Sequence, residues 1–425
     1  VKLKVSTAHL ALLACVACAR GPVATTTQPV QEGSGGINAP RWLDAPYVVL
    51  VSLDGFRADY LDRYPTPTLQ RIAHEGARAE AMIPVFPSKT YPTHYTVATG
   101  LYAEHHGIVG NRFWDPERGS AYSINDRSTV EDGSWYRGEP IWVTAERQGM
   151  VSACFYFIGS EADIGGVRPT YWHRYDGSIP NEERVDAVLD WLAMPAERRP
   201  HMITLYMSNL DDTGHSYGPN SEQARDAVAG VDAMLGRLLD GIDQLPHGDR
   251  VYVVVTSDHG MLRSEAARAQ VLDTAVFRGL RVSEWGPYAS ISILEGGAGR
   301  AAPLRDSLAV AMPEADVWLR GEVPERFHYR ADPRIGDLLA LAHPGATIVS
   351  PDRRPTRDGF THGWDNAIPE MAAVFLARGP RIRAGSWVDP FESVNVYPLL
   401  AELLGLQPNP DIDGRLEVLS QLLAR

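Results

Sequence analysis

The segment Tyr47-Val48-Val49-Leu50-Val51-Ser52-Leu53-Asp54-Gly55 decides the reading of this chain. Its seven mostly apolar residues have the length and β-branched content of a strand buried on both faces, and a carboxylate followed by glycine closes it. Moving outward, the pattern recurs twice. Met202–Met207 leads to Asp211-Asp212-Thr213-Gly214-His215, and Arg250–Thr256 leads to Ser257-Asp258-His259-Gly260. A fourth apolar run spans Met371–Ala377. Helical patterns lie between, at Thr66–Glu75, Asn181–Leu192 and Ser221–Leu239, the last with Ala224, Val228, Val231, Leu235 and Leu238 on one stripe. Strands alternating with helices predict an α/β fold with a mostly parallel central sheet flanked by helices on both faces. Glycine and proline breaks gather over 262–360, which predicts a smaller inserted lobe, and Val394–Leu404 predicts a helix returning to the core.

The chain has 425 residues, and 40 basic against 53 acidic residues leave a net charge of −13. With 44% hydrophobic and 22% charged residues it has ordinary globular composition, so a disordered or fibrous chain is excluded. The acidic balance argues against a stable complex with polymeric nucleic acid, which needs a basic surface. A small anionic substrate remains compatible, because bound metal reverses the local field. Nothing in the sequence speaks to oligomeric state.

Three cysteines occur, Cys15, Cys18 and Cys154, so the body carries one thiol and neither an internal disulfide nor a zinc ribbon. Residues 1–20 read as an export signal, with Lys2 and Lys4 ahead of a mostly apolar run from Val5 to Ala19. Leu12-Leu13-Ala14-Cys15 resembles a bacterial lipobox, which would make Cys15 a lipid anchor. Cleavage near Ala17 or Ala19 would instead release a soluble enzyme. Both readings stay open, and both put the protein in the bacterial periplasm or at the cell envelope. Residues 21–44 are expected to form a flexible linker, 45–415 the main domain and 416–425 a C-terminal tail.

Asp-Gly alone is a routine turn, and Asp after a strand often caps the next helix. Three carboxylates at the carboxyl edge of one parallel sheet, two with a histidine nearby, point instead to a site. Mixed carboxylate and imidazole donors favour zinc or a related transition metal over calcium or magnesium. Thr361-His362-Gly363-Trp364 adds a further histidine. The stretch Pro84–His94 precedes a predicted helix ending at Gly100, with Pro92 in its first turn and Thr90 just before its N-terminus. Backbone N–H groups and the helix dipole favour an anion there. A threonine hydroxyl becomes a nucleophile only when a metal or base removes its proton. His94, His105 and His106 are expected to make structural hydrogen bonds.

The ordered blocks Asp54-Gly55-Phe56-Arg57, Phe86-Pro87-Ser88-Lys89-Thr90-Tyr91-Pro92, Thr99-Gly100-Leu101-Tyr102, His106-Gly107-Ile108 with Asn111, Asp211 through Pro219, Asp258-His259-Gly260-Met261 and His362-Gly363 carry a family resemblance. The chain resembles the nucleotide pyrophosphatase/phosphodiesterases of the alkaline phosphatase superfamily, from about residue 45 to 415. The resemblance implies an alkaline-phosphatase-like fold and two zinc ions per subunit. Asp211, His215 and His362 would hold one; Asp54, Asp258 and His259 would hold the other, with Thr90 as its additional ligand. Thr90 would attack phosphorus to give a phosphothreonine, later hydrolysed by metal-bound hydroxide. Asn111, assisted by a backbone N–H near Tyr91, would donate to a non-bridging phosphate oxygen. Three carboxylates and one alkoxide would balance the charge of two zinc ions.

Sulfatases of the superfamily need Cys or Ser in a Cys/Ser-x-Pro-x-Arg context, which Thr90-Tyr91-Pro92 does not supply. Tyr91 stands where phosphomonoesterases often carry an arginine, which favours a singly charged diester. Tyr171–Gly177 resembles the family stretch whose aromatic faces the residue after the nucleophile, so Tyr91 and Tyr175 are expected to sandwich a nucleobase. Trp172 is expected in the core. The expected activity is hydrolysis of nucleotides and their derivatives to nucleoside 5′-monophosphates. The same chemistry on phospholipid or choline-phosphate esters is the alternative, and nucleotide binding without turnover is the non-enzymatic one.

Overall fold

In the computed structural model, residues 31–32 and 36–424 are described. The export signal, with Cys15 and Cys18, lies outside these residues. The Tyr47–Leu53 strand is buried along its whole length, and its side chains divide between two cores. Tyr47, Val49, Val51 and Leu53 pack with Val185 and Val188 of the Asn181–Ala193 helix and Leu235 and Leu239 of the Glu222–Asp243 helix. Val48 and Leu50 point the other way, into a core with Ile141, Val396, Leu399 and Leu400. Successive strand residues face opposite sides, so a strand covered twice must be apolar throughout.

Among the described residues the central sheet has nine strands. Tyr171–Trp172, Ser152–Phe155, Met202–Met207, Tyr47–Leu53 and Val251–Thr256 are neighbours in that order and run parallel. Ser52 pairs with Thr256 and Leu53 with Met207, so the last three strands end level and their following loops meet at one edge. The Met371–Ala377 run behaves differently from its parallel neighbours. A 3-10 turn takes Pro369–Met371, the strand covers Phe375–Arg378, and it is antiparallel to both Val251–Thr256 and Ala77–Ala79. An apolar run carries no information on strand direction, which the connection decides.

The Glu222–Asp243 helix starts where Ser221 Oγ accepts the Ala224 N–H, and all five residues of its predicted stripe are buried. Its buried Asp232 accepts the N–H groups of Thr68 and Leu69, satisfying the orphan donors of the Pro67–Glu75 helix. Within the 262–360 stretch, Leu280–Glu284, Tyr288–Ile293, Leu338–Ala342 and Ala315–Leu319 form an antiparallel four-stranded sheet. That sheet and the Ala301–Ala311 helix enclose a core of their own around Ile291, Leu304, Leu308 and Leu338.

Both ends of the main domain differ from the expected linker and tail. Asn38 is buried, donates to the carbonyls of Ala196 and Arg199 and accepts the Val151 N–H, which pins the end of the 21–44 segment. Leu419 and Leu422 are fully buried within the expected tail. Polar composition marks a linker only where no side chain finds a buried partner, and Asn38 finds three. Cys154 is a buried free thiol in the Ser152–Phe155 strand, and Trp172 lies in the core. Among the described residues no helix is long and apolar enough to cross a membrane.

Candidate active site

Two groups of three metal-ligating side chains converge at the level edge of the sheet: Asp54, Asp258 and His259 in one, Asp211, His215 and His362 in the other. Within each group the candidate ligand atoms lie within 4.8 Å of one another. Asp54 follows its strand directly, in a turn whose Gly55 has φ +72°. A Cβ on Gly55 would come within 3.0 Å of the Asp211 backbone, so the two groups meet through a contact that needs glycine. Asp211 and His215 lie one turn apart on the Asn209–Tyr217 helix, which brings Oδ2 and Nε2 to 3.5 Å.

The three histidines share one device. His215 Nδ1 donates to the Phe360 carbonyl at 2.8 Å, His259 Nδ1 to that of Gly260 at 3.0 Å and His362 Nδ1 to that of Ser88 at 2.8 Å. A carbonyl only accepts, so Nδ1 carries a proton, and in the neutral ring each Nε2 keeps its lone pair for the site. His259 Nε2 lies 2.9 Å from Asp258 Oδ2 and 3.5 Å from Asp54 Oδ1, and His362 Nε2 lies 3.9 Å from Asp211 Oδ1. The His259 and His362 rings stack at 3.4 Å, so the groups share a wall.

Asp54 Oδ1, Asp258 Oδ2 and Asp211 Oδ1 are buried without a hydrogen-bond partner. Burial, then the carboxylates of Asp258 and Asp211, push Asp54 well above the usual carboxylate range. Burial also raises Asp211. Acceptor atoms therefore face one another in a site short of positive charge, and the donor set, carboxylate oxygen with neutral imidazole, fits a dication of the zinc type.

Thr90 opens the Thr90–Thr99 helix rather than preceding it, and Gly100 at φ +70° ends that helix. Thr90 Oγ1 lies 3.4 Å from His259 Nε2. His94, one turn on, is fully buried and donates from Nδ1 to the Thr90 carbonyl at 2.8 Å. Its Nε2 accepts from Ser52 Oγ at 2.7 Å, and Nδ1 lies 3.4 Å from Asp258 Oδ2. His94 thus joins the nucleophile candidate to one ligand group, a link that its place four residues after Thr90 could have signalled. His106 bonds Thr96 and the Ile108 N–H, and His105 bonds Asp413.

Asn111 is brought to the same place, with one difference from expectation. The Tyr91 N–H donates to Asn111 Oδ1 at 3.1 Å, so it is engaged rather than open to a phosphate oxygen. That bond identifies the acceptor side of the amide and turns its NH2 the other way. Tyr91 and Tyr175 line one cavity of about 250 Å³ together with Thr90, Asp54 and Asp211. Edge-on contacts hold the rings: Tyr175 with Tyr156 and Tyr206, Tyr91 with Tyr122. Sequence reasoning missed Tyr206, whose Oη donates to Asp54 Oδ2, because it sits inside an apolar strand. It also missed Lys89, buried beside the site, where burial lowers its ammonium below the ordinary value.

A family model described as type I phosphodiesterase / nucleotide pyrophosphatase matches residues 48–365. Human ectonucleotide pyrophosphatase/phosphodiesterase family member 1 is 34% identical over 404 residues, which are 90% of this chain and 43% of that protein. A venom phosphodiesterase of Crotalus durissus collilineatus is 34% identical over 409 residues, 92% of this chain and 48% of that one. The chain thus spans less than half the length of these relatives. Among solved structures, murine ectonucleotide pyrophosphatase/phosphodiesterase 5, an inactive form in complex with AMP, superposes with TM-score 0.83 at 33% identity, covering 89% of this chain and 100% of that one. The human counterpart gives TM-score 0.84 at 32% identity, with the same coverage of 89% and 100%. The fold is alkaline-phosphatase-like, as the resemblance implied.

Proposed function

The chain belongs to the type I phosphodiesterase / nucleotide pyrophosphatase family, and from that premise we propose that it is an exported, zinc-dependent hydrolase releasing nucleoside 5′-monophosphates from nucleotides and their derivatives. The observation that carries this reading is the single cavity lined by Thr90, by Asp54 and Asp211 of both ligand groups, and by Tyr91 and Tyr175. Reactive group, metal donors and aromatic faces are open to one bound molecule.

Asp54, Asp258 and His259 would hold one zinc beside Thr90, and Asp211, His215 and His362 the other. When bound, zinc supplies Lewis acidity that lowers the threonine hydroxyl pKa and neutralises charge on the phosphoryl group. Thr90 Oγ attacks phosphorus in line, its proton passing to solvent; the P–Oγ bond forms as the bond to the leaving oxygen breaks, giving a phosphothreonine that still carries the nucleoside. Water then attacks that phosphorus, which frees Thr90 and the nucleoside monophosphate. His94 keeps the Thr90 carbonyl, and so the first helical turn, in place. The Asn111 NH2 donates to a non-bridging oxygen as negative charge grows on it. Tyr91 and Tyr175 stack on the base, a contact worth roughly 1–3 kcal/mol that accepts any base. The AMP in the murine relative supports a nucleoside monophosphate as product. Export is supported by relatives named as ectonucleotide and venom phosphodiesterases.

The test compares zinc-loaded protein on the p-nitrophenyl ester of thymidine 5′-monophosphate and on p-nitrophenyl phosphate, with chelated protein as control. We expect a strong zinc-dependent preference for the diester. Thr90→Ala should lose turnover, by at least roughly 10³-fold, while still binding zinc. A preference for the monoester would overturn the substrate assignment, and near-normal hydrolysis by Thr90→Ala would overturn the nucleophile.

A further inference from the structure

Asn111 is gripped from two sides, and one of the grips comes from the other lobe. Its side-chain oxygen accepts the Tyr91 N–H from the start of the Thr90–Thr99 helix. Its backbone is reached by Glu284, the last residue of the Leu280–Glu284 strand in the small four-stranded sheet. Glu284 Oε2 accepts the Arg112 N–H at 2.9 Å, and the Asn111 N–H lies close enough to favour the charged carboxylate. Among the described residues, the recorded hydrogen bond to this carboxylate thus comes from outside its own lobe.

The surroundings make the contact tight. Glu284 is 5% exposed. A Cβ on Gly110 would stand 2.8 Å from Tyr288 Oη and 3.4 Å from Glu284 Oε2, so the lobe meets the 110–112 backbone where glycine alone leaves room. The strand register shifts between Val282 and Glu284, and such an irregularity re-aims the side chain that follows it. A buried carboxylate is costly unless hydrogen-bonded, so its donors are held as firmly as it is. Lys89, which adjoins Thr90 in sequence and is itself buried, exerts a stabilising field on that carboxylate, as does Arg112. The carboxylate therefore bonds the backbone immediately after the residue that carries the phosphate-facing amide.

We propose that Glu284, carried by the small lobe, is a positioning residue for phosphodiester cleavage: it holds the backbone of residues 111–112 so that the Asn111 amide faces the phosphoryl group. It touches no substrate and acts through Asn111, so the inference rests on the role given to Asn111 above.

The test is a double-mutant cycle on the zinc-loaded protein with the thymidine p-nitrophenyl diester, reading kcat and KM separately. Asn111→Ala should lower kcat by roughly 10²-fold or more, the cost of removing one donor to a developing oxyanion. Glu284→Ala should lower kcat by roughly 10- to 100-fold with KM little changed, since a small misplacement of a positioned group has that effect. In the Asn111→Ala background the same change should cost less than about 3-fold, because the group it positions is gone. Glu284→Gln, which keeps one acceptor oxygen at the same reach, should recover most of the loss. Should Glu284→Ala fail to fold, Glu284→Asp, which keeps the charge but withdraws it, takes its place in the cycle. Equal losses with and without Asn111, or a Gln variant as impaired as the Ala variant, would overturn the inference while leaving Asn111 its role. An unimpaired Asn111→Ala would remove the reading of Asn111 first.

Discussion

At the scale of single residues, burial decides what each histidine can do. His215, His259 and His362 use Nδ1 on backbone carbonyls, so their Nε2 atoms serve the site. His173 is the contrast. It is buried against Phe155 and Trp191, neither ring nitrogen has a hydrogen-bond partner, and burial holds its pKa at about 4. The folded-state value lies below the unfolded one, so its contribution is intact above the ordinary pH 6.5 and is lost as pH falls toward 4. His173→Phe, which keeps the ring contacts and removes two unpaired nitrogens, should therefore match or exceed wild-type stability at pH 7. Its advantage should grow by about 1.4 kcal/mol for each pH unit below 6.5. Urea unfolding of both proteins at pH 7, 6 and 5 checks this, and a constant difference across the series would refute it.

At the scale of elements, the candidate ligands arrive on pieces of three kinds: a strand end for Asp54, a helix for Asp211 and His215, and the short Gly359–Thr361 strand leading to His362. The last two meet at Gly218, which ends the Asn209–Tyr217 helix at φ +88°. A Cβ there would stand 2.4 Å from the Phe360 ring, and the Phe360 carbonyl holds His215 Nδ1. Gly218→Ala should push the Gly359–Thr361 strand away from the helix and weaken the Asp211–His215–His362 group selectively. Metal content after dialysis at limiting zinc should fall toward one ion per chain while Asp54, Asp258 and His259 keep theirs. Full retention of both ions, or equal loss from both groups, would contradict the assignment. The motif residues around Gly218 were legible in sequence, but the strand pair that meets them was not, since Leu262–Ser264 and Gly359–Thr361 are far apart in the chain.

At the scale of the whole molecule, the buried carboxylates of Asp54 and Asp258 and the half-buried one of Asp211 converge on one sheet edge, where their mutual repulsion opposes folding until cations balance it. Zinc at 100 times its dissociation constant would stabilise the fold by about 2.7 kcal/mol per site. Adding chelator should lower the melting temperature by roughly 5 °C or more, and restoring zinc should reverse it. A melting temperature indifferent to chelator would argue against metal at either group. The small lobe has its own core yet sends Glu284 into the main domain, so the two parts of the molecule are joined at the site itself.

Read alone, the sequence determined the parallel strands, the covering helices and the donor types, because burial on both faces demands unbroken apolar runs and because Asp, His and Thr carry their chemistry in their identity. Asp54 and Asp258 were legible as candidate ligands since each stands within two positions of a strand end. Tertiary structure alone decided the antiparallel course of Phe375–Arg378, the docking of Asn38, the engagement of the Tyr91 N–H by Asn111 and the reach of Glu284 to residues 111–112. Each depends on a hydrogen bond between groups remote in sequence. Such a bond depends on distance and direction, and neither exists until the chain has folded.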